Sequence, residues 1–133
     1  MRYFLLASAS LLLLAGCSDS NDAAEQKIEK AAETSATVAG PIPAALGLSE
    51  AQLIDADLVG TDGKELGDVT QVLRDREDKV DRLLVELDGP GEHYVNVPIL
   101  GLKPVVDGDD TNLQTTLTKA RLDALPEVKL TPP

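Results

Sequence analysis

Few side chains in this sequence are equipped for chemistry, and their types and spacing narrow the options quickly. Cys17 is the one cysteine and His93 the one histidine. A lone thiol excludes an intramolecular disulfide, and an unpaired cysteine outside the cytoplasm asks for a reason. A lone imidazole with no free thiol to join it cannot build a zinc site, which takes several N or S ligands. His93 follows a glycine-containing turn and reads as a solvated residue at the start of a strand. Asp107-Gly108-Asp109-Asp110 offers hard oxygen ligands of the kind calcium takes, which makes Asp107, Asp109 and Asp110 the candidate metal residues. That run lacks EF-hand spacing and has no Glu at the twelfth place, so an acidic turn is the simpler reading and no metal or cofactor is expected. Ser49 is the last serine of the chain, with no base in its neighbourhood, and no glycine loop of the phosphate-binding kind occurs. No catalytic residues emerge, and a non-enzymatic role is expected.

Cys17 gains its meaning from what precedes it. Arg2 supplies a short positive start, Leu5 to Leu14 is an apolar run, and Leu14-Ala15-Gly16-Cys17 closes it. A bilayer span needs about 20 apolar residues; this run is shorter and has the length of a secretory signal core. The four closing residues resemble the bacterial lipobox position by position. An ordinary signal site would end in Ala-x-Ala, which this sequence matches poorly. The resemblance implies a diacylglycerol thioether on the Cys17 sulfur, cleavage before Cys17 and acylation of the new amine with a fatty acid such as palmitate. Two or more chains anchor stably, at about 0.8 kcal/mol per buried CH₂. Ser18 follows the cysteine where an Asp would mark inner-membrane retention, so the outer membrane is favoured over the inner one. The expected address is the bacterial cell envelope, facing the periplasm.

Composition sets further limits. The 133 residues carry a net charge of −11, and loss of Arg2 with the signal makes it one unit more negative. Nucleic-acid binders neutralise phosphates with Lys and Arg, so no nucleic-acid partner is expected. Tyr3 and Phe4 lie in the signal, leaving Tyr94 as the aromatic residue of the remainder. The core must therefore be aliphatic, without the stacking platforms that single strands need.

Composition divides the chain into a signal peptide over 1–16, a lipidated cysteine with a flexible acidic linker over 17–50, and a folded unit over 51–130. The linker is rich in Ala, Ser, Thr, Asp and Glu. Ala23 to Thr34 could form a short helix, but one of that length without a packing partner is marginal in water. A solvated coil of about 30 residues, reaching roughly 30 Å, is the preferred reading. Leu46 to Leu53 could be a helical lead-in capped by Ser49.

From Leu53 the pattern becomes that of strands. Ile54, Ala56 and Leu58 alternate with Asp55 and Asp57, the period of a half-buried strand. Thr61-Asp62-Gly63-Lys64 carries the Asp-Gly hairpin signal. Glu65 to Asp75 suits a helix as well, but Gly67 and the β-favouring Val69, Thr70 and Val72 point to a strand with a bulge near Gly67. Arg74 to Lys79 opens a mixed charge run, usually a solvated turn and otherwise a partner-facing patch. Val80 to Asp88, His93 to Pro98 and Asn112 to Thr118 read as further strands, with Pro98 at a strand end or edge. Thr118 to Leu125 reads as a short helix capped by Thr118 and stopped by Pro126.

In this order the features resemble the PRC-barrel family. The carrying residues are Leu53-Ile54, Asp62-Gly63-Lys64-Glu65-Leu66-Gly67-Asp68-Val69, Val80 to Leu87, Val95-Asn96-Val97-Pro98, and Leu117-Thr118-Lys119 to Leu125-Pro126. They cover about residues 50 to 128. The resemblance implies a mainly β fold: a small β-barrel with a short C-terminal helix, preceded by a disordered or weakly helical linker. It also implies a protein-interaction module with no shared catalytic residues. The expected function is a lipid-anchored envelope protein that touches the membrane through Cys17 and docks on an envelope protein. The alternative is a structural or stress-related envelope protein acting through its acidic surface or weak cation binding.

Overall fold

The computed structural model describes residues 20–130. Its chain order is α1 (Ser20–Ala39), β1 (Pro43–Ala45), β2 (Leu48–Ser49), α2 (Glu50–Ile54), β3 (Asp57–Val59), β4 (Glu65–Arg74), β5 (Val80–Leu87), β6 (Tyr94–Pro98), β7 (Lys103–Asp107), β8 (Asp110–Gln114) and α3 (Lys119–Asp123). The architecture is mainly β, with a short C-terminal helix. Six strands form one sheet in the order β6-β5-β4-β3-β8-β7, and β1 pairs with β2 separately. Among the described residues no ladder joins β6 to β7, so the six strands form an open sheet with two edges where a closed barrel was expected.

The sheet is antiparallel except where β3 meets β8, which run parallel. Gly63, with φ +79°, supplies the left-handed backbone of the turn between β3 and β4. Leu58 faces Gly67 and Val59 faces Glu65, so Leu66 is the extra residue of a bulge beside Gly67. The expected irregularity near Gly67 is therefore present. Gly67 is required there because a Cβ would stand 2.3 Å from the Glu86 carbonyl oxygen.

The main core lies on one face of this sheet. Leu58, Val69, Leu83, Val85, Leu87, Val95, Val97 and Leu113 meet Leu53 of α2 and Leu122 of α3. The alternation expected over β5 and β6 is observed. Both short helices start at hydroxyl caps. Ser49 makes a reciprocal capping box with Gln52, and the Thr118 side chain accepts from the Arg121 N–H.

The strand expected over Asn112 to Thr118 is shifted to Asp110–Gln114, and strands at Pro43–Ala45, Leu48–Ser49 and Lys103–Asp107 were not expected; two further stretches depart more. Leu53 and Ile54 belong to α2, and the strand begins only at Asp57. The capping box closes a helical turn over Glu50–Ile54, and burial of Leu53 in the core overrides the apparent alternation. The larger departure is α1. Residues 20–39 form a 20-residue helix, not a solvated coil. Its Ala24, Ala32 and Ala36 are buried, because they pack on the face of the sheet opposite the main core. Small side chains let the helix approach that face closely, and the packing partner removes the objection to an isolated helix. Gly40, with φ +66° and its N–H donating to the Ala36 carbonyl, ends it.

Candidate functional site

The lipobox residues Leu14, Ala15, Gly16 and Cys17 lie outside the described residues. His93 sits just before β6, half-buried, with Nδ1 3.8 Å from an Asp123 carboxylate oxygen that also accepts from Lys119 at 2.7 Å. Asp107 ends β7 and Asp110 begins β8. With Asp109 they form an exposed two-residue hairpin in which Gly108 takes φ +64°. The mixed charge run is a turn braced from within, since Asp75 Oδ1 accepts from the backbone N–H groups of Glu77 and Lys79. Arg74 is the exception. It reaches back to the buried Glu50, donating from Nη2 to Oε2 at 2.8 Å, while Ser35 of α1 donates to the other oxygen of Glu50. Glu50 thus ties α1, α2 and β4 together.

Among the described residues, carboxylates converge in two other places. Asp57, Glu65 and Asp68 bring ligand oxygens within 4.8 Å of one another on the β3–β4 hairpin. Asp57 and Asp68 are cross-strand partners, and like charges placed opposite each other repel. Desolvation, a hydrogen bond that the protonated carboxyl donates to Asp57, and the charges of Asp57, Glu65 and Asp88 hold the Asp68 carboxyl up at about 6. Glu65 is pushed up by Asp57 first.

The second group is Asp22, Glu25 and Glu92, again within 4.8 Å. Asp22 and Glu25 stand in the first turns of α1, and Glu92 in the turn between β5 and β6. Tyr94 lies next to them, facing Glu86 across the β5–β6 ladder. It is 3% exposed, and its hydroxyl lies against the carboxylates of Glu86 and Glu25. Burial, then the carboxylates of Glu86, Glu25 and Glu92, push the phenol well above its usual range. The Glu86 carboxyl is raised as well, by burial and by Glu25 and Asp68, with a smaller opposing contribution from the Tyr94 hydroxyl. Nothing in the sequence spacing of residues 22, 25 and 92 pairs them; only the docking of α1 does.

The third feature is apolar. All five residues of β7 are exposed, and Leu100 and Val106 are 91% and 74% exposed. Val105 is exposed too, so apolar side chains stand along this sheet edge on both faces of the strand. Lys103 and Pro104 interrupt them, and the missing N–H of Pro104 withholds a donor from any strand that would pair there.

Neither a protein-family model nor a curated protein sequence matches this chain.

Proposed function

We propose that the chain is a lipid-anchored envelope protein whose β domain, of the PRC-barrel kind, is a non-catalytic docking module. The observation that carries the docking half is the exposure of Leu100, Val105 and Val106 on β7 and the loop before it. Large apolar side chains exposed along one edge offer a contact surface in an otherwise acidic molecule. Pro104 makes side-chain packing, and not strand addition, the mode of contact. The −11 charge favours a partner whose apolar patch is ringed by Lys and Arg.

The lipid half rests on the Leu14-Ala15-Gly16-Cys17 motif, and α1 changes what that anchor does. The described part of the helix starts at Ser20, so the docked domain follows Cys17 closely in sequence. A lipid on Cys17 would hold the domain against the membrane surface, with the outer membrane favoured and β7 offered to proteins at that surface.

The test is in-cell crosslinking from a photoreactive residue at position 106, with the same probe at Thr61 as a control. A discrete protein adduct from position 106, lost in Leu100→Asp and weakened in Cys17→Ala, is the expected result. Adducts of equal pattern from both positions, or none, refute docking by this edge.

A further inference from the structure

We propose that one flank of α1, with Ile42 just beyond its end, is a contact face for an anionic phospholipid bilayer. This deepens the lipid half of the reading above and is independent of the β7 edge.

The charges of α1 fall in two stripes. Asp22, Glu25, Glu29 and Glu33 are spaced i, i+3, i+7 and i+11, a line along one side of a helix. Lys27, Lys30, Thr34 and Val38 repeat the same intervals along another line. Docking on the sheet keeps the two apart. Glu29 and Glu33 border a groove closed by Asp68 and Glu86, whereas Lys27, Lys30 and Val38 border a groove closed by Arg74 on the other flank. Lys129, after α3, lines the same hollow as Lys27. Among the described residues Lys27, Lys30 and Lys129 form no ion pair. A chain of net charge −11 thus leaves three cations unanswered on one side.

Apolar tips stand beside them. Val38 and Ile42 are 84% and 70% exposed. They line adjoining grooves that share Ala39, Arg74 and Asp78. Pro41 and Pro43 restrict the backbone on either side of Ile42, so its side chain is held out on a stiff turn. Cations that meet lipid phosphates, with apolar tips that reach the acyl boundary, make an interfacial surface. The place of this flank in the chain favours a bilayer over an acidic protein. Cys17 precedes one end of α1, and Val38 and Ile42 stand at the other. Contact at both ends lays a helix about 30 Å long along the surface. The acidic stripe does not cancel the attraction. A helix is about 10 Å across and the physiological screening length is about 8 Å, so carboxylates on the far flank are largely screened from the lipid phosphates.

The test places a photoreactive benzophenone residue at position 42 of the full chain. The protein is irradiated with vesicles of phosphatidylcholine, or of equal parts phosphatidylcholine and phosphatidylglycerol, and analysed by mass spectrometry. A phospholipid adduct with the anionic vesicles is expected. Each lysine near an anionic surface strengthens contact about fivefold, so Lys27→Glu with Lys30→Glu should lower the adduct at least about tenfold. If far-UV circular dichroism shows that this pair has lost helix, Lys27→Gln with Lys30→Gln decides. The same probe at position 100, equally apolar and exposed, should take little lipid. Equal yields from the two kinds of vesicle, equal yields from positions 42 and 100, or a yield untouched by the lysine substitutions overturns the proposal. A discrete protein adduct from position 42 in cells, in place of lipid, does so too. Acyl mass on Cys17, read in the same spectra, reports on the anchor alone: its absence with the position-42 adduct retained sinks the anchor and upholds the face.

Discussion

Replacing Asp68 by Asn removes a charge that the folded state holds against repulsion. Asp68 faces Asp57 across the β3–β4 ladder and is crowded by Glu65 and Asp88. Its carboxyl is held at about 6, against an ordinary 3.8. At 1.36 kcal/mol per pH unit, that gap sets a ceiling of about 3 kcal/mol. Asp68 is exposed, and solvent screening brings the expected effect down to about 1 kcal/mol. The folded carboxyl binds its proton more tightly than the unfolded one. Between about pH 4 and 6 the native state therefore carries more protons, and stability falls as pH rises through that window. The penalty is complete above pH 6 and absent below pH 4. Asp68→Asn should accordingly be more stable than the parent by about 1 kcal/mol near pH 7.5, with the advantage fading on acidification and gone near pH 4. Urea denaturation of both proteins at about pH 7.5, 5 and 4, with unchanged m-values, measures this. A variant no more stable than the parent at pH 7.5 would refute the reasoning, as would an advantage that persists at pH 4.

Two further perturbations probe the frame around the sites. Gly67→Ala would place a Cβ 2.3 Å from the Glu86 carbonyl oxygen and 3.0 Å from Val85 Cγ1. Backbone cannot yield as a side chain tip can, so a loss of about 3 kcal/mol is expected in the same urea assay, and a loss under about 1 kcal/mol contradicts the close approach. Glu50→Ala leaves Arg74 and Ser35 without their shared acceptor. Arg74 keeps a third of its side chain in water, which moderates the usual penalty for breaking a buried pair to about 2 kcal/mol. Hydrogen exchange should quicken in the last turns of α1 more than in β5, and uniform quickening would show that Glu50 does not hold the helix down.

The strands were legible because their alternation and turns are local. Leu83, Val85 and Leu87 alternate, Asp62-Gly63 marks a turn, and Thr118 precedes a short apolar pattern; each signal lies within a few residues. The α1 docking was not, since alanine is weakly apolar and Ala24, Ala32 and Ala36 disappear into a composition that reads as linker. The signal for it lay elsewhere. Leu83-Leu84-Val85 is a continuous apolar run within an alternating strand, and Leu84 is 3% exposed on the face away from the main core. A strand apolar on both sides demands cover on both sides. The Ser49 cap was similarly local, and a helical lead-in up to Leu53 was expected from it, but Asp55 and Asp57 flanking Ala56 imitated a strand that started too early. The Asp22–Glu25–Glu92 group was beyond any sequence pattern, because its members meet only once α1 lies on the sheet. Asp107, Asp109 and Asp110, adjacent in sequence, point to a hairpin whose acidic groups stay apart.

The two edges of the sheet are treated differently. Along β6 the chain's own end is stitched on: Val95 bridges Glu127, and the Val128 N–H donates to the Tyr94 carbonyl. Along β7 no such cover exists among the described residues. A fibre built by strand pairing needs two open edges on every copy, one to receive and one to give. With one edge sealed, β7 meeting β7 of another molecule ends growth at a pair. Crowding many copies together would therefore produce at most dimers by this route, and the exposed apolar residues of β7 can stay uncovered without seeding filaments.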